Sequence, residues 1–298
     1  MLILTVKQKK MNTKNILSTI IVIFLFVANA IAQGDIITAD QFNDLKKNNK
    51  ELVIIDASKS KLYTKSHIAG AINIPYAKLN QKEGAVKGLL KSAEELAAFL
   101  GEKGVSDQNE IVIYDEGSQK YSTRVYWILK YLGAPNVKLL HKENNAWRNA
   151  RIKLTSAVPS VKATTFTATL NENMAADLAY IKANLDNIVL IDARTEKEYL
   201  GTEDSEKKYS KGHLPGAIHL DFTEVENEDK SFMSTTAFEK IITENGFTAD
   251  KTYVMYCKTG VKASVTYTFF KEVLGFENVK LYDGAYLEWE AQGEAIEQ

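Results

Sequence analysis

The sequence predicts an α/β protein that contains two copies of one domain, each copy a parallel sheet flanked by helices on both faces. Two observations support this prediction. Short runs rich in Val and Ile alternate with helical patterns along the chain, which is typical of a parallel sheet covered on both sides. The second half of the chain also repeats the first at a nearly constant spacing.

The repeat is visible in four pairs of matching segments. The pairs are 53–57 with 189–193, 67–74 with 213–220, 111–115 with 253–257, and 136–139 with 278–281. The spacing is 136 positions in the first pair, 146 in the second and 142 in the last two, so the loops differ in length. A period this long indicates a duplicated domain and not a solenoid, whose periods are shorter.

The repeat and the composition together divide the chain into four segments. Residues 1–32 are predicted to be a signal peptide, 33–152 the first domain, 153–172 a linker and 173–298 the second domain. Within the first domain, helical patterns cover 93–100 and 122–132. Residues 153–169 are rich in Ser, Thr, Ala and Val without a helical period, which favours a linker.

The N-terminal segment has the features of an export signal. Lysines precede an apolar run at 16–27, and the small residues at 30–32 fit a cleavage site. Either Met1 or Met11 could be the start. The alternative is an uncleaved anchor, but residues 16–32 include Asn29 and are short for a span of about 20 residues. We therefore expect an exported, periplasmic protein with no membrane segment after cleavage.

The overall charge argues against two classes of partner. The chain has 37 Lys and Arg against 38 Asp and Glu, a formal net charge of −1. Nucleic acids and anionic membrane surfaces attract proteins with a basic excess. We therefore expect neither kind of partner.

A single cysteine, Cys257, stands out among the candidate functional residues. It follows a buried-strand pattern and precedes a helical one, so the backbone N–H groups of the loop between them are expected to converge on the sulfur. That loop contains Lys258 and Lys262, whose charge favours the thiolate, the reactive form. The first domain has Asp115 at the equivalent position. The sequence thus predicts one domain with a nucleophile and one without.

These residues together resemble the tandem rhodanese-type sulfurtransferases over essentially all of the chain after residue 32. The matching motifs are His-x-x-Gly-Ala at 67–71 and 213–217, Tyr-Asp at 114–115, Asp-Ala-Arg at 192–194 and Cys-x-x-Gly-Val at 257–261. The resemblance implies two tandem rhodanese-like domains, the first structural and the second catalytic. It also implies transfer of a sulfane sulfur through a cysteine persulfide.

The chemistry of the residues agrees with this implication. A thiolate at Cys257 can attack the outer sulfur of thiosulfate, after which sulfite leaves and a thiol or cyanide takes the sulfur. Backbone amides of residues 258–263 can stabilise the persulfide anion, so we expect neither an organic cofactor nor a metal. The four histidines show no zinc-ligand spacing beside the cysteine.

Arg194 is the predicted substrate clamp, because it follows a strand that should end at the same sheet edge as Cys257. The resemblance also implies substrate contact for an arginine at this place. The remaining predicted substrate-binding residues form the loop itself: Lys258, Thr259, Gly260, Val261 and Lys262.

The loop also bears on the identity of the donor. In the family, basic residues after the cysteine go with thiosulfate and small neutral ones with 3-mercaptopyruvate. Lys258 favours thiosulfate, whereas Thr259 stands where a second basic residue is expected. Thiosulfate is therefore the predicted donor, with 3-mercaptopyruvate as the alternative.

Two functions outside this class compete with sulfur transfer. A cysteine-dependent phosphatase needs an arginine as the sixth residue after the nucleophile, and that residue here is Ala263. A non-catalytic binding or redox-sensing protein would use the thiol only for oxidation, but the chain has no second cysteine to resolve it. We expect neither.

Overall fold

The computed structural model describes residues 34–81, 84, 86–141, 145–202 and 212–298. The predicted signal peptide at 1–32 lies outside these residues. Asp35–Gln298 forms one compact unit that contains both domains. In the described part of the chain, no helix has the length and apolar character that crossing a membrane requires.

The first domain alternates strands and helices. Its strands are β1 (Ile36–Ile37), β2 (Val53–Asp56), β3 (His67–Ile68), β4 (Ile72–Asn73), β5 (Ile111–Tyr114), β6 (Val137–Leu140) and β7 (Leu154–Thr155). Its helices are α1 (Ala39–Asn48), α2 (Ser60–Tyr63), α3 (Ala93–Glu102), α4 (Lys120–Tyr131) and α5 (Ala146–Asn149), with a 3-10 turn at Tyr76–Lys78. The observed α3 and α4 confirm the helices predicted at 93–100 and 122–132.

The second domain repeats this alternation. Its strands are β8 (Ala175–Ala176), β9 (Ile188–Asp192), β10 (Ile218–His219), β11 (Thr252–Tyr256) and β12 (Val279–Tyr282). Its helices are α6 (Leu178–Asn184), α7 (Glu196–Tyr199), α8 (Thr235–Asn245), α9 (Ala263–Thr268) and α10 (Ala285–Ala291). Shorter 3-10 turns lie at Glu172–Met174, Leu185–Asn187 and Phe222–Val225, and a π turn at Phe269–Val273 continues α9.

The two main sheets have the same topology. The first sheet has the order β1-β6-β5-β2-β4, and the second has the order β8-β12-β11-β9-β10. Every pairing within them is parallel. The structure thus confirms the predicted α/β class and the duplication, since each strand of one sheet has a counterpart at the same place in the other.

The sequence explains why β5 and β11 lie at the centre of their sheets. All four residues of β5 are buried, as are the last four of β11. A continuous apolar run suits a strand covered on both faces, where no side chain meets water.

The start of α3 is also determined by local sequence. Ser92 and Glu95 form a capping box, in which each side chain accepts the backbone N–H of the other residue.

The predicted linker at 153–172 packs along the first domain. Its first part contains β7, which pairs antiparallel with β3. Farther along, the backbone N–H of Thr164 donates to Gly101 O at 2.9 Å, and the side chain of Phe166 is buried. Backbone hydrogen bonds of this kind hold the segment against the domain.

One apolar core extends through both domains. Its centre is the contact between α4 and α9, the helices that follow Asp115 and Cys257. The hydroxyls of Thr123 and Ser264 lie 2.9 Å apart across this contact, and the ring of Trp127 meets that of Tyr267 edge-on. This packing brings the first domain against the loop that carries Cys257.

Candidate active site

Cys257 directly follows β11 at the carboxyl edge of the second sheet. In the parallel pairing of β11 with β9, Tyr256 lies opposite Asp192, and Ala193 N donates to Tyr256 O at 2.8 Å. Arg194 therefore leaves the neighbouring strand at the same edge, as the sequence predicted. Ligands of parallel sheets gather at this edge.

The cysteine is deeply placed. Its exposed fraction is 1%, and its side chain belongs to the shared apolar core. The backbone N–H of Tyr286, in α10, donates to Cys257 O at 2.9 Å and fixes the start of the loop. Solvent reaches the loop at the half-buried residues Lys258, Thr259 and Lys262, and not at the cysteine itself.

The loop from 257 to 263 makes a tight turn into α9. Gly260 adopts a φ of +76°, a left-handed conformation that glycine tolerates best. The Ser264 hydroxyl then donates to Val261 O at 2.8 Å. The described residues show no hydrogen bond to Cys257 Sγ, so the convergence of loop amides on the sulfur stays a prediction.

The equivalent turn of the first domain shows what such a loop can hold. The buried Asp115 carboxylate accepts backbone N–H groups through both oxygens: Oδ1 from Gly117 at 2.8 Å and Gln119 at 3.1 Å, and Oδ2 from Tyr121 and Ser122 at 3.1 Å each. Four main-chain donors thus surround one negative charge. This place in the fold is an anion site.

The two turns are related but not identical. Ser122 Oγ donates to Gln119 O at 3.1 Å, and the corresponding Ser264 Oγ donates to Val261 O. The residues with positive φ, however, are Gly117 and Gln119 in the first turn, two and four positions after the aspartate, and Gly260 in the second, three positions after the cysteine. The amides of the second turn are therefore arranged somewhat differently.

Arg194 lies in a buried ion pair and not free at the surface. Its Nη2 donates to Asp192 Oδ2 at 2.6 Å and to Gly212 O at 2.8 Å, and its Nε lies 3.0 Å from both Asp192 oxygens. The guanidinium stacks 4.1 Å from the ring centre of Tyr286, and 4% of the residue is exposed. This geometry gives Arg194 a structural role, and its contact with substrate stays a prediction.

The Asp192 carboxylate has a further partner in the same network. The hydroxyl of Tyr256 donates to Asp192 Oδ2 at 2.7 Å. Burial raises the pKa of Tyr256 well above its usual value, and the charge of Asp192 raises it further. The phenol therefore stays protonated and remains a donor to the ion pair.

Lys262 is paired as well. Its Nζ lies 2.6 Å from Glu198 Oε2, on α7. Burial tends to raise the pKa of Glu198, but hydrogen bonds from Lys262 and Thr195 outweigh it, and the net pKa is lowered. The carboxylate is thus ionised and compensates the lysine charge. Glu198 was not among the predicted site residues, although its position four residues after Arg194 placed it near the same edge.

The first domain covers part of the loop. Gly88 approaches Thr259 so closely that a Cβ atom at position 88 would lie 2.9 Å from Thr259 Cβ. Since Gly88 also has a φ of +95°, its lack of a side chain allows both the conformation and the contact. Thr259, a predicted substrate-binding residue, is therefore part of an interdomain contact.

Arg124 of α4 makes a second contact with the loop. A Cβ atom at Gly260 would lie 2.9 Å from Arg124 Nη1. The guanidinium also forms an ion pair with Asp283, whose Oδ2 accepts from Leu90 N at 2.9 Å. Arg124 was not among the predicted site residues, because its contact with this loop depends on how the two domains pack.

The site lacks a group that a phosphatase would need. Ala263, the sixth residue after the cysteine, is fully buried and has no charge with which to hold phosphate oxygens.

Within the described ranges, no group of three or more His, Cys, Asp or Glu side chains could hold a metal ion.

Two parallel α/β domains with one cysteine, at the strand-to-helix turn of the second, define a class of duplicated proteins in which only one copy has a thiol at this turn. The chain belongs to the family of rhodanese-like domains, whose profile matches residues 38–150 and 176–292. Relatives that span most of this chain are named putative thiosulfate sulfurtransferases, and the chain is an enzyme of the sulfurtransferase class.

Similar proteins fit this assignment. One named putative thiosulfate sulfurtransferase 1, from Mycobacterium bovis, is 27% identical over 269 residues, which cover 87% of this chain and 96% of the relative. SseA from Escherichia coli, a 3-mercaptopyruvate sulfurtransferase, has a TM-score of 0.76 at 24% identity, covering 85% of this chain and 99% of its own. EanB, solved with a cysteine persulfide and ergothioneine, has a TM-score of 0.80 at 22% identity, covering 89% and 70%. The two structural likenesses concern the fold.

Replacing Arg194 by Ala is expected to lower the free energy of unfolding by about 3–5 kcal/mol, because the Asp192 carboxylate is left buried without its partner. Urea unfolding followed by circular dichroism measures this change. Arg148→Ala removes the same charge at an exposed position of α5 and should change stability by less than about 0.5 kcal/mol. Equal stability of the two variants would contradict the structural role of the pair.

The Glu198→Gln substitution is expected to cost about 1 kcal/mol or less at neutral pH. Because the pKa of Glu198 is lower in the folded chain, its carboxylate stabilises the fold above the unfolded value of about 4.3. This stabilisation is lost as the pH falls through the folded value. The Tm difference from wild type, measured by calorimetry, should therefore shrink in acid.

Glu244→Gln provides the control for this measurement. Glu244 pairs with Lys240 on the exposed surface of α8. The Tm difference between Glu244→Gln and wild type should be small at every pH. A Glu198→Gln difference that is independent of pH would contradict the assignment of an ionised carboxylate at this site.

Proposed function

We propose that the chain transfers a sulfane sulfur from thiosulfate to a thiol or to cyanide through a persulfide on Cys257. The observation that supports this most directly is the anion site of the first domain. There Asp115 accepts four backbone N–H groups at the position that corresponds to Cys257. A sulfur at the same place of the second sheet is expected to have main-chain donors within reach when it becomes an anion.

The reaction has two steps, which balance in atoms and charge. In the first, the Cys257 thiolate attacks the outer sulfur of thiosulfate, the S–S bond of the donor breaks, and sulfite leaves with the bonding electrons. In the second, cyanide or a thiolate attacks the outer sulfur of the persulfide and the cysteine thiolate is released. Both steps exchange one anion for another, so stabilisation of negative charge at the sulfur assists both.

Thiosulfate is the proposed donor because Lys258 lies beside the nucleophile and thiosulfate has two negative charges. The name of the mycobacterial relative points to the same donor. One observation favours 3-mercaptopyruvate as the alternative: the charge of Lys262 is compensated by Glu198, and Thr259 is neutral. A less positive loop suits a donor with a smaller charge.

Incubation with thiosulfate is expected to increase the intact mass of the protein by one sulfur atom, and cyanide should remove it as thiocyanate. Cys257→Ser should show no gain, and its rate of thiocyanate formation should fall by at least about 1000-fold, because the covalent intermediate cannot form. Mass spectrometry and a thiocyanate assay measure the two effects. A gain in mass that persists in Cys257→Ser would contradict the proposal.

Comparison of the two donors uses the same protein. The value of kcat/KM should be higher for thiosulfate than for 3-mercaptopyruvate, with cyanide as the acceptor in both assays. The reverse order would leave the persulfide on Cys257 in place but assign the alternative donor. Lys258→Met should reduce the preference for thiosulfate, since it removes positive charge beside the nucleophile.

We also propose that the chain is exported to the periplasm, on the basis of the basic and apolar pattern of residues 1–32. The expected product is a protein that begins near residue 33 in the periplasmic fraction. Mass spectrometry of protein from separated cell fractions tests this. A full-length chain confined to the cytoplasm would contradict it.

A further inference from the structure

We propose that Arg124, which belongs to the domain without a nucleophile, is a positioning residue of the Cys257 loop. Its guanidinium supports the turn at Gly260 and stabilises negative charge on the sulfur. This inference rests on the proposed function, and it assigns to the first domain a direct part in the reaction of the second.

The first line of evidence is the contact itself. Arg124 is fully buried in α4. A Cβ atom placed on Gly260 would lie 2.9 Å from its Nη1, 3.2 Å from its Cζ and 3.3 Å from its Nη2. The flat guanidinium therefore lies directly against the backbone of the turn that follows Cys257.

The second line of evidence is the incomplete pairing of this cation. Nη2 donates to Asp283, but Nε and Nη1 are buried and have no hydrogen-bond partner among the described residues. Buried donors without acceptors are costly, more so on a charged group. A group that keeps such donors beside a reactive loop is suited to stabilise negative charge that forms there only during the reaction.

The physical effect does not require contact with the sulfur. A charge buried among protein atoms acts over several ångströms more strongly than one in water, because little solvent screens it. Negative charge arises on Cys257 twice, as the thiolate and as the persulfide. Arg124 stabilises both through the loop.

Other charged groups also face the loop. Lys258 and Lys262 belong to it, Glu198 compensates Lys262, and Asp283 compensates part of Arg124. The pair of Arg194 and Asp192 lies at the same edge. Any test of Arg124 therefore has to change one charge and keep the others.

A purely structural role is the competing explanation. The ion pair of Arg124 with Asp283, together with the bond from Leu90 N to the same carboxylate, joins the two domains. A residue that only joins them would affect stability. It would not affect the ionisation of the thiol, and this difference separates the two explanations.

The test is a titration of the thiol. Because the chain has one cysteine, the ultraviolet absorbance of the thiolate reports on Cys257 alone, with Cys257→Ser as the blank. Arg124→Gln keeps a donor for Asp283 but removes the charge. Its titration midpoint is expected to lie about one pH unit above that of wild type, a tenfold loss of thiolate at pH values below both midpoints.

Two further variants serve as controls. Arg124→Lys restores the charge, so its titration midpoint should lie close to that of wild type. Arg148→Gln removes an equal charge from the exposed side of α5 and should leave the midpoint unchanged. A wild-type midpoint in folded Arg124→Gln would overturn the proposal and leave Arg124 a structural role only.

If Arg124→Gln does not fold, Asp283→Asn tests the same effect, and the expected shift of the thiol's titration midpoint has the opposite sign. Asn can still accept from Leu90 N, but the guanidinium loses its counter-charge, so the midpoint should fall below that of wild type. An unchanged or higher midpoint would overturn the proposal. Failure of the proposed function is recognised separately, because wild-type protein would then gain no sulfur from thiosulfate whatever the titrations show.

Discussion

The turn between the central strand and the next helix of the first sheet directs backbone N–H groups towards one place, and those groups need an acceptor. In the first domain Asp115 supplies it permanently, with both carboxylate oxygens engaged. A fixed carboxylate that is fully hydrogen-bonded has no lone pair to offer to a substrate. A sulfur at the corresponding position can be neutral or charged. The second turn can therefore hold a negative charge that is present only when the sulfur is a thiolate or a persulfide.

Three of the cations around the Cys257 loop are held by carboxylates. Arg194 pairs with Asp192, Lys262 with Glu198, and Arg124 with Asp283. Most of the positive charge at the site is therefore compensated, in keeping with a chain whose net charge is −1. Stabilisation of an anion here has to come from donors with fixed direction, which act without reorganisation when the charge forms. Pairing keeps each cation in one orientation and so serves that purpose.

The sequence was sufficient for the fold and for the position of Cys257 at the strand-to-helix turn, because both depend on local patterns and on their repetition. The sequence did not reveal which charged residues of the site pair with each other. Glu198 and Lys262 are 64 positions apart within the second domain, and Arg124 and Asp283 are 159 positions apart in different domains, so only the folding of the chain brings each pair together. Arg194 is different, since Asp192 lies two residues before it and could have suggested the ion pair. The predicted export signal lies outside the described residues.

The two domains act as one structural unit at the active loop. Gly88 and Gly260 lie where the first domain meets that loop, and a side chain at either position would collide with Thr259 or Arg124. The second domain alone would expose α9 along its contact with α4 and leave Asp283 without its cation. The first domain has an aspartate in place of the cysteine, but it covers one side of the loop and contributes the buried charge of Arg124. A duplicated fold can thus divide its work, one copy presenting the sulfur and the other setting the surroundings in which that sulfur ionises.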